Sequence, residues 1–162
     1  LRRDVNVRLA AGENEFGLQG FQEHVRAQTL DILHPDACRC GGISEVKRVA
    51  DLAGKAGLEI ATHSWSDAAA IMANAHVVAA VPHGLTVEVD RTGNPFVDDL
   101  LVEPLPVCDG MLALGSAPGL GIELNESVLE TYRLEDPLHP ADGSYSDMVF
   151  GPQFDTPAGP YA

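Results

Sequence analysis

DILHPDACRCGGISEVKRVADLAGKAGLEIATH, residues 31–63, packs two strands and a helix into one short run. Asp31-Ile32-Leu33-His34 reads as a brief apolar strand, and Pro35-Asp36 stops it, because proline cannot donate to a ladder. Gly41-Gly42 marks a turn. Ile43 to Ala56 then carries Ile43, Val46, Val49, Ala50 and Ala53 at helical spacing, with Gly57 as the stop. Leu58 to Thr62 is the next strand, ending at His63-Ser64. A strand, a crossover helix and a second strand joined by short loops predict parallel pairing.

The same rhythm extends outward in both directions. Upstream, Val5 to Ala11 reads as a strand ended by Gly12-Glu13-Asn14, and Leu18 to Leu30 as an amphipathic helix with Phe21, Val25 and Leu30 inward. Downstream, Ser66 or Asp67 caps a helix from Ala68 to Ala80, followed by a strand over Leu85 to Val89. The alternation predicts an α/β fold, the C-terminal half of a (β/α)8-type barrel. After Asp90 the rhythm breaks. Pro104 to Leu114 reads as a hairpin turning at Asp109-Gly110, and Asn125 to Arg133 as a short helix capped by Asn125. Leu134 to Ala162 holds five of the 11 prolines and no Lys or Arg, so it is expected to be an irregular acidic tail.

The 162 residues are 45% hydrophobic, enough for a globular core, and carry 10 Lys and Arg against 24 Asp and Glu for a net charge of −14. That balance argues against nucleic acid or an anionic membrane as partner, since both require basic patches. No run reaches the roughly 20 apolar residues that span a bilayer. Three cysteines, Cys38, Cys40 and Cys108, make no disulfide framework, so a cytoplasmic location is expected. The start, Leu1-Arg2-Arg3-Asp4-Val5, has neither an initiator Met nor the apolar core of a signal peptide, and reads as if cut from something longer.

Each strand ends in one ionisable residue: Glu13, Asp36, His63 and then Glu88, spaced 23, 27 and 25 residues apart. One unit of a (β/α)8 barrel takes about 30 residues, and the C-terminal strand ends of that fold converge on one face. A lone carboxylate at a strand end is commonly a helix cap, and a lone histidine commonly structural. Four at one structural address point to a cluster. Such groups suit abstraction of the weakly acidic proton beside a carboxylate. Glu13 offers a ligand for a hard divalent cation that neutralises the developing charge. His63 serves as base near neutral pH, and Asp36, one strand back, is placed to fix its tautomer. Glu88 can donate to a substrate carboxylate if burial raises its pKa.

Gly12-Glu13-Asn14, Pro35-Asp36-Ala37-Cys38-Arg39-Cys40-Gly41-Gly42-Ile43-Ser44-Glu45, Thr62-His63-Ser64 and Pro118-Gly119-Leu120-Gly121-Ile122-Glu123-Leu124 resemble the mandelate racemase branch of the enolase superfamily, over roughly residues 5–133. The resemblance implies residues 1–90 as strands five to eight of the barrel, 91–133 as a segment returning to an α+β capping domain, and 134–162 as the tail. It implies Mg2+ held in part by Glu13, an Asp36–His63 dyad, Glu88 on the substrate carboxylate or enolate, and Arg39 binding substrate. It further implies an acid-sugar dehydratase or cycloisomerase, with a racemase or epimerase of a 2-hydroxy acid as the alternative. The family's other metal-binding carboxylates and its second-strand acid/base group have no counterpart here. A chain inactive alone, or a half-barrel subunit needing a partner, is therefore the competing expectation, with association to a missing N-terminal half or homo-oligomerisation of the complete enzyme. His34, Cys38 and Cys40 form H-x3-C-x-C, an unusual zinc spacing. The two cysteines are expected behind the strand, and His76 and His83 at the surface.

Overall fold

The computed structural model of the chain describes residues 2–134. Two compact units divide the chain, Leu1–Leu129 and Glu130–Ala162, and the sheet and the ionisable cluster belong to the first. The element order is β1 (Ala10–Ala11), α1 (Gly17–Ala27), β2 (Ile32–Leu33), α2 (Ala37–Cys40), α3 (Ile43–Lys55), β3 (Glu59–Thr62), α4 (Ala68–Ala79) and β4 (Gly84–Val87). Then come α5 (Pro95–Asp98), the hairpin β5 (Val107–Cys108) and β6 (Met111–Leu112), and α6 (Glu126–Thr131).

The first four strands form one sheet in chain order, every pair parallel. Its register aligns Ala11 with Leu33 and Leu33 with Ile60, so consecutive strands end side by side. Leu33 and Ile60 are fully buried against Phe21 of α1 and Val46, Val49, Ala50 and Ala53 of α3, which form the inner stripe of that helix. Burying each Val of that stripe contributes about 1.5–3 kcal/mol relative to exposing it. Ile43, expected on the stripe, is 42% exposed at the first turn.

Several sequence expectations shift at their boundaries. The first strand is only Ala10–Ala11, and Val5 and Val7 are exposed. In place of a ladder, the Asp31 carboxylate accepts from Leu9 N at 2.9 Å, while Leu9 O takes the amides of Asp31 and Ile32. Alternation predicts a strand, but pairing requires a neighbour within reach. The first helix stops at Ala27, because Gln28 turns left-handed (φ 53) and its amide closes on His24 and Val25 carbonyls. Leu30 is buried from the following loop instead. The N-terminus of α1 has no cap of its own; Glu45 of α3 supplies one, accepting from Leu18 N at 2.9 Å.

Asp67, not Ser66, caps α4, its carboxylate accepting from Ala70 N at 2.8 Å. The helix is buried almost all round, with Leu100 and Leu101 packed near its Ala68 end. Runs of alanine permit such close approach. The hairpin turns at Asp109-Gly110, both at positive φ, as the dipeptide predicts. Two short helices, α2 and α5, lack the length to show periodicity and were not predicted. The 134–162 tail lies outside the described residues except for Leu134. Cys38 is exposed and Cys40 buried on α2, so only one of them packs inward. His76 and His83 are half-buried, each ring bonded to a backbone carbonyl, of Leu120 and Ala50 respectively.

Asp31 joins β1 to β2 and is held below the ordinary aspartate value of 3.8, first by the Leu9 amide and then by Arg2. A carboxyl more acidic folded than unfolded stabilises the fold above its unfolded pKa, and that contribution is lost as pH falls through the folded value. Urea midpoints of wild type and Asp31→Asn should therefore differ at pH 7 and converge as pH drops below 3.8. A gap independent of pH would show that the carboxylate charge plays no part.

Candidate active site

Parallel strands in register bring their C-terminal ends to one edge of the sheet, and the four predicted residues emerge there. Gly12 is the hinge that releases Glu13 from β1: its φ is +120°, and a Cβ at that position would lie 2.5 Å from the buried Phe21 ring. A side chain would be both strained and overlapping. Glu13 follows, half-buried, with Oε2 accepting from Gly12 N at 3.1 Å. Its carboxyl lies below the ordinary glutamate range, chiefly through its own backbone amide, with Gly12 N and the charges of His34 and His63 adding to that and partial burial opposing it.

Asp36 is 4% exposed and divides its oxygens. Oδ1 caps α2 by accepting from Cys38 N at 2.8 Å, and also accepts from Asn74 Nδ2 at 3.1 Å. Oδ2 lies 2.8 Å from His63 Nδ1. A carboxylate only accepts, so Nδ1 carries the proton and the lone pair of neutral His63 is on Nε2. That nitrogen lies 3.9 Å from Glu88 Oε2, too long for a hydrogen bond and within ion-pair reach once the ring is protonated.

Glu88, just past β4, accepts from Ser64 N at 3.1 Å through the same Oε2, and its side chain is 43% exposed. The burial required for it to donate a proton is thus absent among the described residues. Among the described residues β4 is an outer strand of the sheet, so no further strand flanks Glu88. Arg39 is exposed on α2 and donates to Asn14 Oδ1 at 2.8 Å, which draws it to the loop that carries Glu13.

Two residues escaped the sequence reading. His34, considered there only for zinc, packs edge-on against His63 with ring centroids 5.8 Å apart. Its Nδ1 donates to Ala61 O at 2.9 Å, which leaves Nε2 as its acceptor nitrogen. Because Leu33 points into the helical core, alternation places His34 on the opposite face, with His63; that signal was legible. Asn74 is fully buried on α4 and reaches Asp36 from 38 residues away. A single amide in the helix AAAIMANAHVVA was the available signal. The described residues contain no group of three His, Cys, Asp or Glu side chains able to hold a metal.

A cleft of about 650 Å3 lies apart from this cluster, lined by Met72, Leu101, Glu103, Pro106, Leu114 and Ile122 among others. The ionisable residues instead edge an open sheet, which four strands cannot enclose. No helix among the described residues is long and apolar enough to cross a membrane.

Comparison with known proteins adds the context. Residues 1–128 match the family model described as Enolase C-terminal domain-like. The chain is 37% identical over 145 residues to a D-galactarolactone cycloisomerase of Agrobacterium fabrum, covering 85% of this chain and 38% of that protein. It is 32% identical over 127 residues to a D-xylonate dehydratase of Haloferax volcanii, covering 78% of this chain and 31% of that protein. A solved structure of a mandelate racemase/muconate lactonizing enzyme from a marine actinobacterium, in complex with magnesium, superposes with a TM-score of 0.74 at 25% identity, covering 82% of this chain and 36% of that one. The chain thus spans about a third of the length of these relatives.

Replacing Asp36 by Ala removes the acceptor of the part-buried Cys38 amide and one of the two acceptors of Asn74 Nδ2, which keeps Ala70 O, and leaves His63 Nδ1 without its carboxylate. The expected cost is about 2–4 kcal/mol of unfolding free energy, measured by urea denaturation. A loss below about 0.5 kcal/mol, the range of surface changes, would show that Asp36 is not the structural node described.

Proposed function

This chain belongs to the Enolase C-terminal domain-like family, and from that premise we propose that it supplies the proton-transfer half of an acid-sugar dehydratase or cycloisomerase active site. The observation that carries the reading is the 2.8 Å bond between His63 Nδ1 and Asp36 Oδ2, which leaves Nε2 as a base at the strand-end face. In this reading Nε2 takes the proton α to a substrate carboxylate, and Asp36 stabilises the imidazolium that forms. The electron pair left on carbon shifts to form an enediolate and then returns to expel the oxygen on the β-carbon; a hydroxyl or ring-ether oxygen takes back the proton held by the His63 imidazolium as it leaves, and a lactone oxygen leaves as a carboxylate. Loss of water and opening of a ring ether or lactone share these steps, matching the dehydratase and cycloisomerase names of the relatives. Those names favour this reading over a racemase. Glu88 and Arg39 are proposed to bind the substrate, Glu88 as an acceptor facing the protonated ring.

A magnesium ion, when bound, would supply positive charge beside the substrate carboxylate and so acidify the neighbouring proton. The residues present fit one corner of such a site. Glu13 offers a hard anionic oxygen of the kind magnesium takes, held ionised by its surroundings, and the described residues offer no second and third ligand beside it. The remaining ligands, the cover for the substrate and the neighbours of β1 and β4 are proposed to come from parts of the enzyme that the relatives have beyond the matched stretch. Free thiols at Cys38, Cys40 and Cys108 fit a reducing compartment such as the cytoplasm.

The test is solvent exchange of the α-proton in deuterium oxide, assayed across a panel of acid sugars in a protein of the relatives' full length that contains this chain. His63→Asn should slow exchange by about 10²–10⁴-fold while leaving magnesium affinity unchanged; retained exchange would remove His63 as the base. Glu13→Gln should weaken magnesium binding, read by calorimetry. Unaltered affinity in that variant would exclude Glu13 as a ligand.

A further inference from the structure

Asn74 makes more polar contacts than any other fully buried side chain described here, and none of the proposed proton-transfer steps uses it. It is 0% exposed, in the middle of a helix otherwise composed of Ala, Ile, Met, Val and one His. Its Oδ1 accepts from Ala37 N at 3.0 Å, and its Nδ2 donates to Asp36 Oδ1 and to Ala70 O, each at 3.1 Å. The orientation of the amide is settled by its partners, since a backbone N–H only donates and a carboxylate only accepts. Only an amide serves both neighbours at once. A carboxylate would face Asp36 with like charge, and an aliphatic residue would leave Ala37 N unpaired and Asp36 Oδ1 with Cys38 N alone.

We propose that Asn74 is a positioning residue for proton transfer: by holding Asp36 Oδ1, it leaves Oδ2 alone facing His63 and so keeps His63 in the tautomer whose Nε2 is free to take a proton. Rotation of the Asp36 carboxylate is the motion it blocks. Cys38 N holds Oδ1 from one side, but the amide of a four-residue helix is a weak anchor without a brace. Asn74 supplies that brace from α4, whose packing is fixed by the core. The consequence for catalysis rests on the function proposed above; the effect on the tautomer does not.

The experiment is nitrogen-15 NMR of histidine- and asparagine-labelled chain, read above the titration of His63. Wild type should show His63 wholly as the Nδ1–H tautomer, and His34 likewise through its bond to Ala61 O. In Asn74→Ala and in the closely sized Asn74→Leu, His63 should lose that preference and become a mixture dominated by the Nε2–H form, while His34 keeps its own. His63 remaining Nδ1–H in a folded variant would overturn the proposal and leave Asn74 a mere tie between α2 and α4. Wild type supplies an arm that needs no variant. There the Asn74 amide protons should exchange slowly with solvent and shift as Asp36 is protonated; fast exchange with no pH response would equally overturn it. Absence of α-proton exchange in the longer enzyme would remove the proposed reaction and leave these signals untouched, so the two failures are distinguishable.

Discussion

The carboxylate of Asp36 joins the local fold to the candidate chemistry. One oxygen ends β2, starts α2 and binds α4 through Asn74; the other orients the imidazole at the end of β3. A buried carboxylate is tolerated only when its lone pairs are taken up, and here three donors do so. Because the donors come from three different elements, their relative placement and the ring orientation are a single constraint. The structural and the proposed chemical roles of this residue cannot be separated by removing it, which is why isosteric changes around it are more informative.

The sheet supplies what Asp36 cannot. In-register parallel pairing sets Ala11, Leu33 and Ile60 side by side, so the residues that follow them leave the sheet at one edge. Glycine at position 12 then lets the chain turn sharply over Phe21 and present Glu13. The result is a row in which an anionic oxygen, two imidazoles and a second carboxylate follow one another across four strands. Its outer members differ in character: Glu13 is held ionised by backbone amides, while Glu88 stands at an open side of the sheet.

The edges of the sheet follow from its strand count. A closed barrel buries both edges of its sheet, and four strands leave the far sides of β1 and β4 without partners in the sheet. Leu85 on β4 and the Glu88 side chain beyond it are exposed at such an edge.

Much was legible in the primary structure. Helical periodicity named the buried stripe of α3, the Asp109-Gly110 dipeptide named the hairpin, and the near-regular spacing of Glu13, Asp36, His63 and Glu88 named the cluster. These are properties of neighbours along the chain, which composition and spacing express directly. Tertiary structure alone decided which contacts those residues make. Nothing local to Asp36 announces that Asn74 will hold it, because the bond spans 38 positions and exists only once α4 packs beside α2. Nor could spacing show that the first strand shrinks to two paired residues, that Leu30 is buried from a loop, or that Glu88 stays exposed. Burial and pairing depend on what arrives from elsewhere in space, and Glu88 follows an outer strand of the sheet.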